Sequence, residues 1–242
     1  NIKTFIIIVF SILNFSACNT PEPIDQDGTM LWLANGRSYK EVLASVETRI
    51  DSTLSKEEYH IYDANGKCYI DGGSQAAIRY GVYALQRAEV LGKADTGLDI
   101  HEKPYYEYRI LNHWDNLDDT VERGYAGLSM WEWTAKEIPT ERIHHYGELC
   151  ASVGLNGAVL NNVNANPLIL DKEHIERVAQ IANILREYGI TTYLSIKWTS
   201  PVTLDGLKSG DPLDPKVRQW WKNKAAEIYT AIPDFGGFLV KA

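Results

Sequence analysis

From Pro104 onward the chain repeats one pattern: a short apolar run, an abrupt polar or aromatic stop, then a stretch with helical periodicity. The apolar runs lie at Tyr108 to Leu111, Gly157 to Leu160, Thr191 to Ile196 and Gly237 to Val240. Helical spacing covers Glu141 to Val153, Lys172 to Tyr188 and Lys216 to Thr230. Strands that alternate with helices of this length lie parallel in one sheet, joined by right-handed crossovers. The stops are alike in chemistry: His113-Trp114-Asp115, Asn161-Asn162, Lys197-Trp198 and Lys241. In a βα barrel the carboxyl ends of the strands form the active-site face, and a doubly wound sheet binds ligands at the same ends. These positions are therefore the candidate site on either architecture. The expected fold class is α/β, a small N-terminal α/β module followed by the first half of a (β/α)8 TIM barrel. A whole barrel takes roughly 250 residues, more than follow Pro104, so the sequence is expected to be a fragment that stops inside its fourth unit.

A different pattern precedes Pro104. Residues 1–17 read as a lipoprotein signal peptide: Lys3 gives a positive start, and Phe5 to Leu13 is an apolar run too short for a spanning helix, which wants ~20 residues. Phe15-Ser16-Ala17 then leads to Cys18, where cleavage and lipidation are expected. Residues 18–29, with Pro21 and Pro23, form a tether. The protein is thus expected to be exported and held to the membrane by its lipid anchor only, facing the periplasm or the cell surface. Residues 30–103 are assigned to the N-terminal α/β domain and 104–242 to the truncated barrel domain. In the first, Tyr59 to Tyr62 and Lys67 to Ile70 flank Asp63-Ala64-Asn65-Gly66, and Asn-Gly between alternating runs marks a hairpin. Ser74 is a good N-cap for a helix from Gln75 to Val90 with Ile78, Val82 and Leu85 on one face. Gly72-Gly73 lacks the third glycine and the lysine of a phosphate loop and reads as a strand-to-helix turn.

A formal charge of −8, with no run of Lys and Arg, argues against a nucleic-acid partner and leaves an uncharged polymer or a small molecule. Export would permit a disulfide between Cys68 and Cys150, but they fall in different predicted domains and are expected to be buried free thiols. His144-His145 with Glu148 has no HExxH pattern and has Arg142 close by, so it reads as helix surface; no metal site and no cofactor are expected. No Gly-x-Ser-x-Gly elbow is present.

The richest stretch is Asn112-His113-Trp114-Asp115-Asn116-Leu117-Asp118 with Glu122-Arg123-Gly124-Tyr125-Ala126-Gly127, which combines hydrogen-bonding groups, a flat ring and negative charge as a sugar pocket does. It resembles the start of the barrel domain in the α-glucuronidases of glycoside hydrolase family 67. Tyr193-Leu194-Ser195-Ile196-Lys197-Trp198-Thr199-Ser200-Pro201, Asp211-Pro212-Leu213-Asp214 and Gly236 to Ala242 continue the resemblance in order, from about Met30 to the end. The Gly72-Gly73-Ser74 turn and its helix also resemble the module that this family shares in outline with family 20 hexosaminidases.

The resemblance implies hydrolysis, with inversion, of the α-1,2 bond between glucuronic acid, or its 4-O-methyl form, and the terminal xylose of glucuronoxylan-derived oligosaccharides. It implies carboxylates only, without metal or cofactor. An inverting site needs one protonated carboxyl and one carboxylate roughly 6.5 to 9.5 Å apart. The family's acid follows the strand that ends in Lys241-Ala242, and its bases lie on later strands. The catalytic carboxylates are thus expected beyond residue 242, no catalytic residue is assigned within the chain, and the isolated fragment is expected to be inactive. Dimer surfaces of a full-length homodimer would also lie beyond it.

Among the candidates, Trp114 is expected to wall the uronate pocket, where a core tryptophan closing the barrel mouth is the alternative. Asp115 and Asn116 either bond sugar hydroxyls or cap the loop backbone. Asn161 and Asn162 either bind hydroxyls or close a turn, and Val163 faces the substituent at O4. Lys197 accompanies Trp198, a stacking platform for xylose or else a packing residue. Lys241 is expected to pair with the uronate carboxylate. Arg123 is expected to form an ion pair with Glu122, and the period-two pair Trp131 and Trp133 to pack as an ordinary strand or loop face. Two other functions stay open: a family 20-like hexosaminidase, which would show an Asp-Glu pair after a middle strand, and a non-catalytic carbohydrate-binding lipoprotein.

Overall fold

The computed structural model describes residues 36–94, 97–122 and 127–240. The signal and tether assignments, including Cys18, lie outside these residues, as do Arg123 and Lys241.

Residues up to Glu102 build a mixed sheet covered by helices. Its strands are β1 (Glu47–Ile50), β2 (Tyr59–Ala64), β3 (Lys67–Gly72) and β4 (Asp99–Glu102), in the order β1-β3-β2-β4, with β1 parallel to β3 and the other pairs antiparallel. The hairpin between β2 and β3 turns on Asn65 and Gly66, at φ 54° and 73°. Two successive positive φ values are what a two-residue turn matching the strand twist requires, and Asn-Gly reaches them at least cost. Helix α2 (Gln75–Val90) starts where predicted, with the Ser74 hydroxyl accepting from the Ala77 amide at 3.3 Å. Its Ile78, Val82 and Leu85 are buried with Ile61 and Ile70 of the sheet. Gly73 is required by a close approach: a Cβ there would sit 1.9 Å from the Ser55 carbonyl oxygen. The short helix α1 (Tyr39–Ala44), β1 and β4 are additions to the predicted elements.

The second sheet is wholly parallel, in the order β5 (Ile110–Asn112), β6 (Gly157–Val159), β7 (Thr191–Ser195) and β8 (Gly237–Leu239). The first strand begins two residues later than predicted, because Tyr108 is 67% exposed and precedes the paired register. Helices α3 (Thr140–Ser152), α4 (Lys172–Glu187) and α6 (Pro215–Ala231) fall within two residues of expectation, and a short α5 (Ser200–Asp205) and a 3-10 turn (Pro167–Leu170) occupy two of the connections. Ala158 and Leu194 face the core with Ile143, Ile175, Val178, Ile181 and Ile228 of these helices. On the opposite face Ile110, Asn112, Val159, Tyr193 and Leu239 line an open concavity of about 430 Å³. Trp131 and Trp133 are 0% and 5% exposed and belong to the helix-side core. Cys68 and Cys150 are free thiols, the first half-buried and the second buried; burial pushes both up to about 11.

The two sheets meet at a polar seam. The last carbonyls of α3 are unsatisfied within the helix and attract cations. The Arg87 guanidinium, from α2, donates to the Ser152 carbonyl, the last of α3, and Arg109 Nε donates to the Gly154 carbonyl two residues beyond the helix at 2.6 Å. Arg109 also pairs with Glu57 at 2.9 Å, and Glu57 accepts from Tyr80 and Asn156 as well. This seam sits at the amino ends of β5 and β6, which leaves their carboxyl ends clear.

Candidate functional site at the carboxyl ends of the parallel strands

The residue types that end β5, β6 and β7 are tied to one another rather than left as free loop ends. Beyond β5, Asp115 is buried, and its Oδ2 accepts from the Ser129 hydroxyl at 2.7 Å and the Met130 amide at 2.9 Å. Burial pushes its carboxyl up, but His113, Ser129 and the Met130 amide outweigh that and hold it below the usual carboxylate range. Asp115 is therefore an ionised anchor that pins the segment through Met130 onto the strand end; of the two roles open to it, loop capping is the one displayed. His113 lies between Asp115 Oδ1, 3.7 Å from Nδ1, and the Tyr146 hydroxyl, 2.8 Å from Nε2. Burial pushes the Tyr146 phenol up, so it stays protonated as a partner for the ring.

Asn116 and Asn162 meet directly. Asn162 Nδ2 donates to Asn116 Oδ1 at 2.9 Å, and the Asn162 amide donates to the Asp115 carbonyl at 2.8 Å. Asn116 Nδ2 donates in turn to Thr120 Oγ1 at 3.0 Å, and Asn162 Oδ1 accepts from the Asn164 amide at 2.8 Å. Asn164 Nδ2 also donates to Glu122 at 2.8 Å, and the Glu122 amide donates to the Trp114 carbonyl at 2.9 Å. Trp114 is half-buried in this network. The buried Asn161 bridges strands instead: its Oδ1 accepts from the Ser195 amide at 2.8 Å and its Nδ2 donates to the Ser195 carbonyl at 3.1 Å. Both ends of that amide thus hold β6 to β7.

The remaining candidates share a second feature. Val163, Asn164 and Ala165 after β6, with Ile196, Lys197 and Trp198 after β7, line a cavity of about 230 Å³. Trp198 is 50% exposed at its rim, and Lys197 is exposed beside it. The structure thus brings Asp115, Asn116 and Asn162 together in one hydrogen-bonded cluster, and Val163, Lys197 and Trp198 together around one cavity. His144 is a helix-surface residue whose Nδ1 lies 3.0 Å from the Tyr188 hydroxyl, and no group of three metal-ligating side chains occurs among the described residues.

Sequence reasoning did not single out Ser129, Thr120 or Tyr146, which hold the cluster. Ser129 and Tyr146 carry no local signal, because each meets its partner only after the chain has turned back on itself, whereas Thr120 bonds within four residues, to Asp118 and Asn116. A cavity rimmed by an indole, an ammonium and amides offers a sugar a flat apolar face together with donors and acceptors for its hydroxyls.

Residues 90–242 match the family described as the glycosyl hydrolase family 67 middle domain. The chain is 40% identical over 173 residues to the probable alpha-glucuronidase A of Aspergillus terreus, covering 71% of this chain and 20% of that relative. It is 38% identical over 196 residues to the alpha-glucuronidase A of Emericella nidulans, covering 78% and 23%. The chain thus spans about a fifth of the length of the curated relatives it matches. Among solved structures, a GH138 enzyme targeting pectin rhamnogalacturonan II superposes with a TM-score of 0.56 at 17% identity, over 82% of this chain and 28% of that one, a likeness of fold alone.

Proposed function

Because the chain belongs to glycoside hydrolase family 67, we propose that it supplies the N-terminal module and the first half of a TIM barrel to an α-glucuronidase. The substrate is a glucuronoxylan-derived oligosaccharide, cleaved with inversion at the α-1,2 bond between (4-O-methyl-)glucuronic acid and the terminal xylose. Membership of family 67 sets aside the family 20 hexosaminidase reading. One-sided helix packing supports the barrel: a barrel wall carries helices only outside, whereas a doubly wound sheet carries them on both faces. Here the second face lines the 430 Å³ concavity.

The observation that carries the site is the convergence of three strand ends, through the 2.9 Å bond between Asn162 and Asn116 and the cavity shared by Val163, Lys197 and Trp198. In this reading Trp114 walls the uronate pocket and Lys241 pairs with the uronate carboxylate. Asn116 presents its amide to hydroxyls, the buried Asn162 closes the turn that holds it, Val163 faces O4, and Trp198 stacks on xylose with Lys197 beside it. Asp115 and Asn161 serve by fixing the backbone that carries these groups. Acid and base come from carboxylates on later strands, so residues 1–242 bind without hydrolysing. Division at about residue 103, export through the Cys18 lipid anchor and a homodimer of the full-length protein complete the proposal.

The test reads the encoding locus past Ala242 and assays the longer protein and the 242-residue chain for glucuronic acid released from aldouronic acids. Release by the longer protein alone is expected. Release by the pure 242-residue chain would overturn the assignment of the carboxylates. Binding without hydrolysis by a longer protein that retains them would favour the carbohydrate-binding lipoprotein.

A further inference from the structure

Trp198 is a half-exposed indole in the short segment between β7 and α5, a place where a large side chain has room to swing. Among the described residues one aromatic ring packs against it: Trp221 of α6, edge to face, with centroids 5.9 Å apart and planes at 74°. Trp221 is itself held on two further sides, by Trp220 at 4.8 Å and 88° and by Phe238 of β8 at 6.4 Å and 68°. Trp220 is fixed in turn, with its indole N–H donating to Asp205 and the Lys224 ammonium 5.7 Å from its ring centroid. Trp221 thus joins α6, β8 and the segment after β7 through ring contacts. Edge-to-face pairs have a directional preference, so a fixed ring restricts the orientation of its neighbour.

We propose that Trp221 is a positioning residue that holds the Trp198 indole against the rim of the cavity lined by Val163 and Lys197, in the orientation that stacks on a sugar ring. The stacking half of this inference rests on the site proposed above; the orientation of Trp198 does not. Trp221 touches no ligand and acts only through Trp198.

The experiment is fluorine NMR of the 242-residue chain labelled with 5-fluorotryptophan, with the Trp198 line assigned through Trp198→Phe. A single narrow Trp198 line is expected in the unaltered chain. In Trp221→Leu that line moves to the position of a freely solvated indole, while the lines of the core residues Trp131 and Trp133 stay in place. Trp221→Phe keeps a ring at the contact and restores the Trp198 line. An unmoved Trp198 line in Trp221→Leu overturns the inference, as does a Trp198 line that Trp221→Phe fails to restore while the core lines are unchanged. Should Trp221→Leu disturb the core lines as well, Trp221→Phe and Trp221→Tyr decide between the outcomes. Both retain a ring, so both keep a native Trp198 line if the proposal holds, and a displaced line in both overturns it.

Titration with xylotriose then separates the two readings. Trp198→Ala weakens affinity most, and Trp221→Leu weakens it about three- to tenfold. Unchanged affinity in Trp198→Ala defeats the platform role of Trp198 and leaves the fluorine result on Trp221 standing. A loss in Trp198→Ala with none in Trp221→Leu defeats the positioning role alone.

Discussion

The two four-stranded sheets use their polar side chains in opposite ways. In the N-terminal sheet the partners lie within the sheet: Arg49 meets Asp71 at 2.8 Å, His60 meets Asp99 at 2.7 Å, and Lys67 meets Glu47 at 2.7 Å. The His60 and Tyr62 rings meet along β2 at 4.7 Å, and Tyr62 stacks across onto Tyr69 of β3 at 5.5 Å. These groups satisfy one another on the open face of the sheet. The parallel sheet has strands of three to five residues, with its polar groups beyond their carboxyl ends. There Asn161 bonds to a residue 34 positions away and Asn162 to one 46 positions away. Pairing between strands closes the first sheet on itself, whereas pairing beyond the strand ends in the second frames a cavity mouth that stays open.

That contrast can be broken most sharply at the two aspartates that anchor each region. Asp115→Ala leaves the Ser129 hydroxyl and the Met130 amide without their acceptor in a buried setting, and should lower the unfolding free energy by about 3 kcal/mol in urea titrations. Asp71→Ala, which loosens a solvated pair with Arg49, should cost about 1 kcal/mol in the same experiment. Equal losses would end the distinction between the sheets. Asp115 also sharpens it by pH. Because the folded-state pKa of Asp115 is lowered, its contribution is complete above the unfolded value of about 3.9 and is lost as pH falls through the lower folded value. Stability of the unaltered chain should therefore drop below about pH 4, and Asp115→Asn should flatten that acid limb.

Smaller effects probe the joints. Gly73→Ala drives a methyl group into the Ser55 carbonyl and should cost about 2 kcal/mol, read as a lowered urea midpoint with an unchanged slope. Asn162→Ala, which frees Asn116 and the Asn164 amide, should cost about 1.5 kcal/mol and weaken xylotriose binding as well, a double effect that Gly73→Ala should lack. Ser74→Ala, which removes the α2 cap, should cost about 1 kcal/mol with xylotriose affinity untouched.

The elements that were legible in the sequence are those encoded by near neighbours. Asn65-Gly66 fixes the hairpin and Ser74 the start of α2, because a two-residue turn and an N-cap are decided within four residues. Apolar periodicity located α3, α4 and α6 because each buries one continuous stripe. The elements that escaped lack that stripe: β1 is exposed at all four positions, and α1 buries only Val42 although Ser38 and Glu41 form a readable capping box. At the site, the residue types announced themselves as stops after apolar runs, so Trp114, Asn116, Asn162 and Trp198 could be named. The partners of Asp115 and Asn161 could not, since Ser129 and Ser195 reach them only after the chain has crossed to another segment. Asp115 shows the limit most clearly. Its identity suits a ligand-binding carboxylate and a loop anchor equally, and only the fold supplies the burial and the two donors that tie it to the loop.

The Arg87 cap on α3 also bears on the order in which the chain emerges. Residues up to Val90 leave a ribosome before α3 does, with roughly fifty residues between the end of α2 and the start of α3. At about 5–20 residues per second that interval is several seconds, long compared with the formation of a hairpin or a helix. The first module can thus fold on its local contacts and hold Arg87 in place before α3 exists. When the final turn of α3 emerges, its carbonyls meet a donor already fixed on a folded surface.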